Sequence, residues 1–259
     1  MNGGRPVAVV TGASRGIGRA IATTLATGGA DVVLAGRDVG ALRETEDLVT
    51  AAGARSLVVP TDVTVEEDVS RLAGETAARF GRVDTLVANS GVGGPSGPLW
   101  ELEPVEWVHT FDVNVAGVFR CCRAFLPAMI ARGSGGVIVI GSMTGKRPLW
   151  GRSPYAASKL ALVGLVRTLA MEAAPLGVLV NLISPGPVAG ERIEWVFRAQ
   201  AEGRGITVDE AREEMIRQIP IGRLVEAQEV ADAVALLAFC GLPAVTGQDL
   251  NVSGGMVMY

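Results

Sequence analysis

Short apolar runs alternate with longer amphipathic stretches from one end of the chain to the other. The apolar runs have the length of buried strands, whereas the stretches between them have helical periodicity. We predict strands at Val7–Thr11, Asp31–Ala35, Leu57–Val59, Val83–Ala88, Val137–Ile140, Val178–Ile183 and Asp249–Val252. We predict helices at Gly16–Thr27, Val39–Ala52, Val65–Phe80, Val105–Arg132, Tyr155 to about Ala174, and Glu226–Phe239. This alternation is typical of an α/β fold with a doubly wound parallel sheet of about seven strands and helices on both faces.

The whole chain, residues 1–259, is predicted to form a single domain, because no low-complexity linker divides it. One segment departs from the alternation. From Pro185 to about Gly222 the sequence is irregular, with mixed charge and two short helical patterns. A segment of that length in a compact domain is more often functional than a plain connection. We therefore expect a substrate lid at about 185–222.

Charge and composition narrow the classes of partner. The net charge is −4 and no basic block occurs, so we expect neither nucleic acid nor a membrane surface as a partner. Hydrophobic residues make up 49% and charged residues 19%, which suits a folded globular protein. There is no apolar run of about 18 residues, and the N-terminal sequence MNGGRPVAVV leads directly into a strand. We expect no membrane span, no signal peptide and a cytoplasmic location.

The cysteines and the histidine exclude several kinds of site. Cys121 and Cys122 are adjacent in a helical stretch and Cys240 stands alone, a spacing that suits neither a disulfide framework nor zinc. We expect three reduced thiols and no metal. His109 is the only histidine and is interpreted as a packed or surface residue, which argues against a hydrolase with a serine–histidine pair.

A glycine-rich turn, Thr11–Gly18, joins the first predicted strand to the first predicted helix. Glycines permit a tight turn and close backbone approach, and the helix N-terminus then faces a pyrophosphate. The spacing differs from G-x-G-x-x-G, and the absence of lysine excludes the ATP-binding loop G-x-x-x-x-G-K. Tight packing of the helix on the strand is the alternative explanation. The candidate nucleotide-binding residues here are Gly12, Ser14, Arg15, Gly16, Ile17 and Gly18.

The end of the second strand bears on the choice between NAD and NADP. An NAD site requires a carboxylate there to hold the ribose hydroxyls, but this chain has Gly36 followed by Arg37. A guanidinium suits a 2′-phosphate because it keeps its charge and bonds two oxygens at once, and Arg15 can reach the same phosphate. We predict NADP(H), with NAD(H) less favoured. Two solvated arginines are the alternative, and Asp38 can either cap the next helix or take the ribose.

A second group of residues surrounds Tyr155, one of two tyrosines, and Lys159, one of two lysines. Residues four apart share a face of a helix, so the phenol and the ammonium can point into one site. Ser142 ends an apolar strand, at the edge of the sheet where α/β folds bind ligands. The ammonium favours ionisation of a phenol whose ordinary pKa is about 10, and the serine can donate a hydrogen bond to an oxygen that gains charge. Each residue alone has an ordinary structural explanation, but together they predict catalysis.

With these motifs, the chain resembles the short-chain dehydrogenase/reductase family over nearly its whole length. Further family motifs are Asp62-Val63, Ala88-Asn89-Ser90-Gly91 with alanine in place of the first asparagine, Asn114, Pro185-Gly186 and Thr246-Gly247-Gln248. The chain departs from the family at Gly190, where relatives usually have a threonine that contacts the cofactor. It departs again at Ser253, which replaces the aspartate of Asp-Gly-Gly and is expected to change only a turn.

The resemblance implies a Rossmann-like fold and an oxidoreductase that transfers a hydride between NADP(H) and a ketone or secondary alcohol. It implies the catalytic set Ser142, Tyr155, Lys159 and Asn114. In this set Lys159 also holds the nicotinamide ribose, and Asn114 anchors a water chain that relays the proton. It adds to the cofactor-binding residues Asp62 and Val63 at the adenine, with Asn89, Gly91, Tyr155, Lys159, Pro185, Gly186 and Val188. It also implies a homotetramer built as a dimer of dimers.

The predicted pocket walls are Gly91–Pro98, Met143–Arg152 and the lid from Val188 onward. Large apolar side chains in these walls favour a bulky, largely apolar small molecule as substrate. They are Met143, Pro148, Leu149, Trp150, Trp195 and Phe197. Packing of Trp195 and Phe197 between lid and body is an equally good explanation. The arginines of the walls are expected to be exposed rather than to meet an acidic substrate group. They are Arg147, Arg152 and Arg192.

Three other functions remain as alternatives. One is a 3-oxoacyl-(acyl-carrier-protein) reductase, although relatives of that type commonly have a basic residue where this chain has Leu176. A second is a regulator that senses NADP without turnover, which would have no need of Ser142, Tyr155 and Lys159. A third is a sugar epimerase, whose relatives usually carry a longer C-terminal domain than 259 residues can supply.

Overall fold

The computed structural model describes residues 4–239 and 241–259. Parallel strands form a seven-stranded sheet in the order β3-β2-β1-β4-β5-β6-β7. The strands are β1 (Val7–Thr11), β2 (Asp31–Gly36), β3 (Ser56–Pro60), β4 (Thr85–Ala88), β5 (Gly135–Ile140), β6 (Val178–Pro185) and β7 (Asp249–Val252). The helices are α1 (Gly16–Thr27), α2 (Val39–Ala51), α3 (Glu66–Phe80), α4 (Pro104–Phe111), α5 (Gly117–Arg132), α6 (Ser153–Ala173), α7 (Glu191–Arg204), α8 (Val208–Arg217) and α9 (Ala227–Phe239). The predicted α/β, Rossmann-like architecture is confirmed.

Hydrophobic side chains are buried on both faces of the sheet. Along β1, Val7 and Val9 join one core with α3, α5 and α6, while Ala8 and Val10 join a second core with α1, α2 and α9. Strands covered on both faces are apolar at every position instead of alternating. This is why short continuous apolar runs predict the strands, and the predicted bounds agree with those of the structure within two residues.

The long helix predicted over Val105–Arg132 is wrong in one respect. The segment is helical throughout, but a π-helical turn at Asp112–Ala116 separates α4 from α5. Asn114 lies in this wider turn and is fully buried. Its side chain accepts from Val92 N at 2.8 Å and donates to Val92 O at 3.0 Å. The tertiary contact with a distant loop therefore coincides with the irregular turn, as π-turns at functional positions often do.

The segment predicted as an irregular lid is mostly helical. It contains α7 and α8, of 14 and 10 residues, and α8 begins at a capping box formed by Thr207 and Glu210. A small separate core joins the two helices around Phe197, which is completely buried. Phe197 therefore packs α7 against α8.

Helical residues Pro104–Arg132 are long and apolar enough to cross a membrane by length and composition, but half of the apolar window is buried inside the structure. Such burial is also found in core helices. Within the same segment, burial raises the pKa of Cys121 and of Cys122 to about 12, so both stay protonated thiols. Cys240 lies outside the described residues. Across the described ranges, no group of three or more His, Cys, Asp or Glu side chains is placed to hold a metal.

Candidate active site

The functional residues predicted from the sequence gather at the carboxyl edge of the sheet. The glycine turn follows β1, Asn89 follows β4, Ser142 follows β5, and Pro185 ends β6. The strand order reverses between β1 and β4, since β1 leads outward to β2 and β3 whereas β4 leads to β5. A crevice at such a reversal is where open α/β sheets bind ligands.

The glycine turn is held against the end of β4 by hydrogen bonds. Asn89 Nδ2 donates to Thr11 O at 2.9 Å and to Gly12 O at 3.2 Å. Thr11 Oγ1 accepts from the backbone N–H groups of Asn89 and Ser90, both at 3.0 Å. Asn89 thus has a demonstrable role in shaping the turn, and the alanine that precedes it in the strand leaves this network intact.

The N-terminus of α1 is suited to an anion. Arg15 occupies the N-cap position without a side-chain capping bond, and the first turn contains no acidic residue. The backbone N–H groups at the N-terminus of α1 therefore lack the side-chain acceptor that usually caps a helix. Gly16 adopts φ +55° with open space around its Cα. A pyrophosphate can approach this backbone closely, so the turn fits a dinucleotide.

Gly18 is where α1 and the turn meet. A Cβ added at this position would lie 2.0 Å from the carbonyl oxygen of Gly12. The helix would have to move away from the turn, since the nearest contacting atom belongs to the backbone of Gly12. Close packing, the alternative explanation for the glycines, therefore applies to Gly18 but not to Gly16.

We predict that Gly18→Ala lowers the free energy of unfolding by about 1–3 kcal/mol, the usual cost of overpacking, and weakens dinucleotide binding. Thermal denaturation and titration with NADPH fluorescence measure the two effects. Gly74→Ala is the matched control, because Gly74 is an exposed glycine within α3 with no atom near its missing Cβ. That variant should gain about 0.5–1 kcal/mol. Equal behaviour of the two variants would contradict the close contact.

At the end of β2, the two arginines predicted to meet a 2′-phosphate are solvated. The Arg37 side chain is 68% exposed and lies 3.8 Å from Asp62, and the Arg15 side chain pairs with Glu191 at 3.4 Å. Both pairs are exposed and contribute little to stability, so both guanidinium groups are free to turn toward a ligand.

Asp38 acts as the helix cap. Its Oδ1 accepts a hydrogen bond from Ala41 N at 3.0 Å at the start of α2. Of the two roles left open for this carboxylate, capping is the one it performs. Gly36 brings no carboxylate to the end of β2, and its Cα faces Ser14, whose Oγ would lie 2.8 Å from an added Cβ.

Tyr155 and Lys159 lie in the first two turns of α6, one helical turn apart. Lys159 is only 4% exposed, and its Nζ donates to Ile140 O at the end of β5 at 2.8 Å. This bond fixes the ammonium 6.0 Å from the centre of the Tyr155 ring. Ser142 begins the turn after β5, where its Oγ accepts from Thr144 N at 3.1 Å. The structure brings all three residues together.

The pKa of Tyr155 is lowered. Burial by itself raises the pKa of the phenol, but the positive charges of Lys159 and Arg192 act against it. The Ser142 hydroxyl and the Arg152 guanidinium lower it further, and the net pKa lies below its ordinary value. Burial lowers the pKa of Lys159, and the neighbouring phenol partly offsets that effect. A phenol with a depressed pKa exchanges its proton more readily near neutral pH.

Asn114 links the site to the loop after β4. In addition to Val92, its Nδ2 donates to Ser158 Oγ at 3.0 Å. Ser158 was not singled out from the sequence, although its place next to Lys159 on α6 was a usable signal. Gly91 lies between Asn114 and Lys159, because an added Cβ would lie 3.2 Å from Asn114 Oδ1 and 3.5 Å from Lys159 Nζ.

The two departures from the family pattern have local explanations. Gly190 adopts φ +134°, a conformation that a threonine reaches only with strain, and it precedes α7. Ser253 holds a turn, since its Oγ donates to Val257 O at 3.2 Å and accepts from Val257 N at 3.1 Å.

The expectation that the wall arginines are exposed is wrong for Arg152, which is 2% exposed because Tyr155 and Trp195 cover it. Arg192 is exposed and donates to Gly91 O at 2.8 Å. Arg147 is partly buried and bonds Met256 O and Gln218.

The apolar side chains predicted to form the pocket walls do not all line the same cleft. Met143, Pro148 and Leu149 line a small cleft between the loop after β5 and helices α7 and α8. Tyr155 does not line this cleft. Trp150 packs on Gly203 of α7, where an added Cβ would lie 1.9 Å from its ring. Trp195 faces Arg152 instead.

Known proteins share this architecture and resemble the chain in sequence over almost its whole length. A family model described as Enoyl-(Acyl carrier protein) reductase matches residues 12–257. The 3-oxoacyl-[acyl-carrier-protein] reductase FabG of Escherichia coli (strain K12) is 37% identical over 258 residues, which cover 100% of both chains. The chain belongs to the short-chain dehydrogenase/reductase family. It is therefore an NAD(P)-dependent oxidoreductase acting on keto or hydroxyl groups.

Solved structures agree with this family membership. A variant of actinorhodin polyketide ketoreductase with NADPH superposes with a TM-score of 0.94 at 36% identity, covering 98% of each chain. NAD⁺-bound xylitol dehydrogenase also reaches a TM-score of 0.94, at 29% identity, covering 98% of this chain and 100% of the other. Solved structures of the same shape thus include one with NADPH and one with NAD⁺.

Proposed function

We propose that this short-chain dehydrogenase/reductase transfers a hydride between NADP(H) and a ketone or secondary alcohol of a bulky, largely apolar small molecule. The observation that carries the proposal is the buried Lys159 ammonium, fixed to Ile140 O and one turn from a phenol whose pKa it lowers. A surface tyrosine or a solvated lysine would show neither feature.

The cofactor, when bound, supplies or accepts the hydride. We assign to Tyr155 the exchange of a proton with the substrate oxygen, and to Lys159 the task of keeping that phenol acidic. Ser142 donates a hydrogen bond to the oxygen on which charge develops, a contribution of about 2–4 kcal/mol if it resembles an oxyanion-hole donor. Asn114 acts by holding the loop at Val92 and the neighbouring Ser158 hydroxyl in place.

The proposed cofactor-binding residues follow the carboxyl edge of the sheet. The glycine turn takes the pyrophosphate, Asp62 and Val63 flank the adenine, and Lys159 holds the nicotinamide ribose. Asn89 and Gly91 line the floor of the crevice, and Pro185, Gly186 and Val188 close it beside α7. The lid over residues 185–222 then covers the substrate.

The preference for NADP is part of the proposal. It is supported by the absence of a carboxylate at Gly36, by the use of Asp38 as a helix cap, and by the solvated guanidinium groups of Arg37 and Arg15. The NADPH of the ketoreductase neighbour agrees with it, whereas the NAD⁺ of xylitol dehydrogenase is a reminder that the fold accepts both.

Reduction of a 3-oxoacyl group on acyl carrier protein is the second candidate. The 37% identity to FabG over the full length favours it. Leu176, where carrier-dependent relatives commonly have a basic residue, argues against docking of an acidic carrier. A small-molecule substrate therefore remains our first choice.

We also propose a cytoplasmic homotetramer. Several large apolar side chains are exposed on α4, α5, α6 and the C-terminal tail. Exposed apolar surface of this kind marks sites of protein–protein interaction, which supports assembly of several copies of the chain. The exposed side chains are Val105, Val108, Phe119, Leu160, Met171 and Tyr259.

A panel of cyclic and aliphatic ketones, with their secondary alcohols and an acyl-carrier-protein thioester, tests the function. NADPH absorbance should report turnover of at least one free ketone at a higher kcat/KM than the carrier-bound thioester. Turnover of the thioester alone would favour the second candidate. Inactivity toward every compound, with NADPH bound, would overturn the oxidoreductase proposal.

A further inference from the structure

Arg152 is a buried cation that has no anionic partner among the residues that the structure describes. It immediately precedes α6, three residues before Tyr155, and is 2% exposed. Within the described ranges its guanidinium forms no ion pair and no hydrogen bond, and its Nη1 is a buried donor without any acceptor. Buried charges in proteins are normally paired, because an unpaired one loses its hydration without compensation.

The guanidinium is held beside the reacting phenol. Its Cζ lies 5.0 Å from the centre of the Tyr155 ring and 4.7 Å from the centre of the Trp195 ring. The loop after β4 passes directly by it, since a Cβ added at Gly93 would lie 3.2 Å from Nη2. Ring faces attract a cation but offer only weak acceptors to its N–H groups. The rings therefore fix the position of the guanidinium and leave its hydrogen-bonding edge to something else.

The surroundings of Tyr155 are positive. In the part of the chain that the structure describes, the charged groups that influence its pKa are Lys159, Arg192 and Arg152, and none of them is a carboxylate. Arg152 has a similar environment. Burial lowers the pKa of Arg152, the neighbouring phenol raises it, and the positive charge of Arg192 lowers it. Arginine keeps its charge under such conditions. Three cations around one phenol therefore leave room for a negative charge on the ligand.

We infer that Arg152 binds a carboxylate of the substrate, so that the natural substrate is a keto acid or the matching hydroxy acid. The fork of a guanidinium matches the two oxygens of a carboxylate, and such charge-assisted pairs are the stronger hydrogen bonds in proteins. The guanidinium carbon lies 5.0 Å from the centre of the Tyr155 ring, and this distance limits the spacer between the keto group and the acid. The inference rests on the proposed function, because it takes Tyr155 as the reacting phenol.

The test compares each keto acid with its methyl ester. Suitable pairs are 4-oxopentanoate and 3-oxocyclohexanecarboxylate with the corresponding esters, assayed with NADPH in wild type, Arg152→Met and Arg152→Lys. In wild type the acid should exceed the ester in kcat/KM by at least about 30-fold, as expected for hydrogen bonds between charged groups. In Arg152→Met that ratio should fall to within about 3-fold of unity, mainly through KM. Arg152→Lys should retain part of the preference because it keeps the charge but not the fork.

Arg198→Met is the matched control, because Arg198 is an exposed arginine on α7. It should leave the acid-to-ester ratio unchanged. A purely structural role for Arg152 predicts that acid and ester fall together in Arg152→Met, with a lower melting temperature and an unchanged ratio. Either that result or a wild-type ratio near unity overturns the inference.

Ligand binding keeps this test separate from the test of the proposed function. The melting temperature of the NADP⁺-loaded enzyme should rise with the keto acid more than with its ester, and this difference should vanish in Arg152→Met. Turnover of esters without a preference for acids would reject only the carboxylate subsite. Stabilisation by acids without any turnover would support the subsite and reject the proposed function. Absence of both preferences would reject the subsite.

Discussion

Replacing Tyr155 with phenylalanine should lower kcat for ketone reduction by at least about 100-fold, the lower end of the contribution of a positioned acid. The substitution removes only the hydroxyl, and the ring contact with Arg152 remains available. Dinucleotide binding and the melting temperature should therefore change little. Stopped-flow or steady-state assays with NADPH, together with a fluorescence titration of the cofactor, measure both quantities.

Tyr259→Phe is the control for this prediction. Tyr259 is the other tyrosine of the chain, is 79% exposed, and donates a hydrogen bond to Lys146 O at 3.3 Å. It should keep full activity. In the wild type, alcohol oxidation should rise with pH through the lowered pKa of Tyr155, because the phenolate is the base in that direction. Tyr155→Phe should lose this rise. A folded variant with undiminished turnover and an unchanged pH profile would remove Tyr155 from the mechanism.

The parts of the fold that were predictable are those whose cause is local. The strands of a sheet covered on both faces must be apolar at successive positions. The strands β1 and β5 could therefore be predicted from continuous apolar runs in the sequence. The relation of Tyr155 to Lys159 was also predictable, because a spacing of four on a helix has one geometric meaning. Ser142 was placed correctly because parallel strands end at a common edge.

The features that were missed depend on distant contacts. The π-turn at Asn114 accompanies hydrogen bonds to Val92, 22 residues earlier in the chain. The burial of Arg152 depends on Trp195, which belongs to a helix on the far side of the site. Nothing in the sequence next to Arg152 reveals that cover. The helix α8 is different, since the Thr207 and Glu210 capping box was a readable local signal.

The cofactor preference gives the second large effect. The double substitution Gly36→Asp with Arg37→Leu should change the ratio of kcat/KM for NADPH over NADH by at least about 100-fold in favour of NADH. Removal of the guanidinium takes away charge-assisted bonds to a 2′-phosphate, and the new carboxylate repels that phosphate while accepting from the ribose hydroxyls. The added side chain has to displace Ser14, whose Oγ would lie 2.8 Å from the new Cβ. A serine rotamer change accommodates this, since the contacting atom ends a side chain and is not part of the backbone.

Arg43→Leu separates a local phosphate contact from a general loss of positive charge. Arg43 is an exposed arginine in the second turn of α2, where it pairs with Glu46 at 2.5 Å. If the preference for NADPH arises at Arg37, this control should change the ratio by no more than about 2-fold, since an exposed charge outside direct contact is largely screened at ordinary ionic strength.

In the double variant, the loss of the exposed ion pair between Arg37 and Asp62 should have little effect on stability. If the double variant binds both cofactors but keeps the wild-type ratio of kcat/KM for NADPH over NADH, then residues at the end of β2 do not bind the 2′-phosphate. Arg15, which pairs with the exposed Glu191, would then be the residue to substitute next.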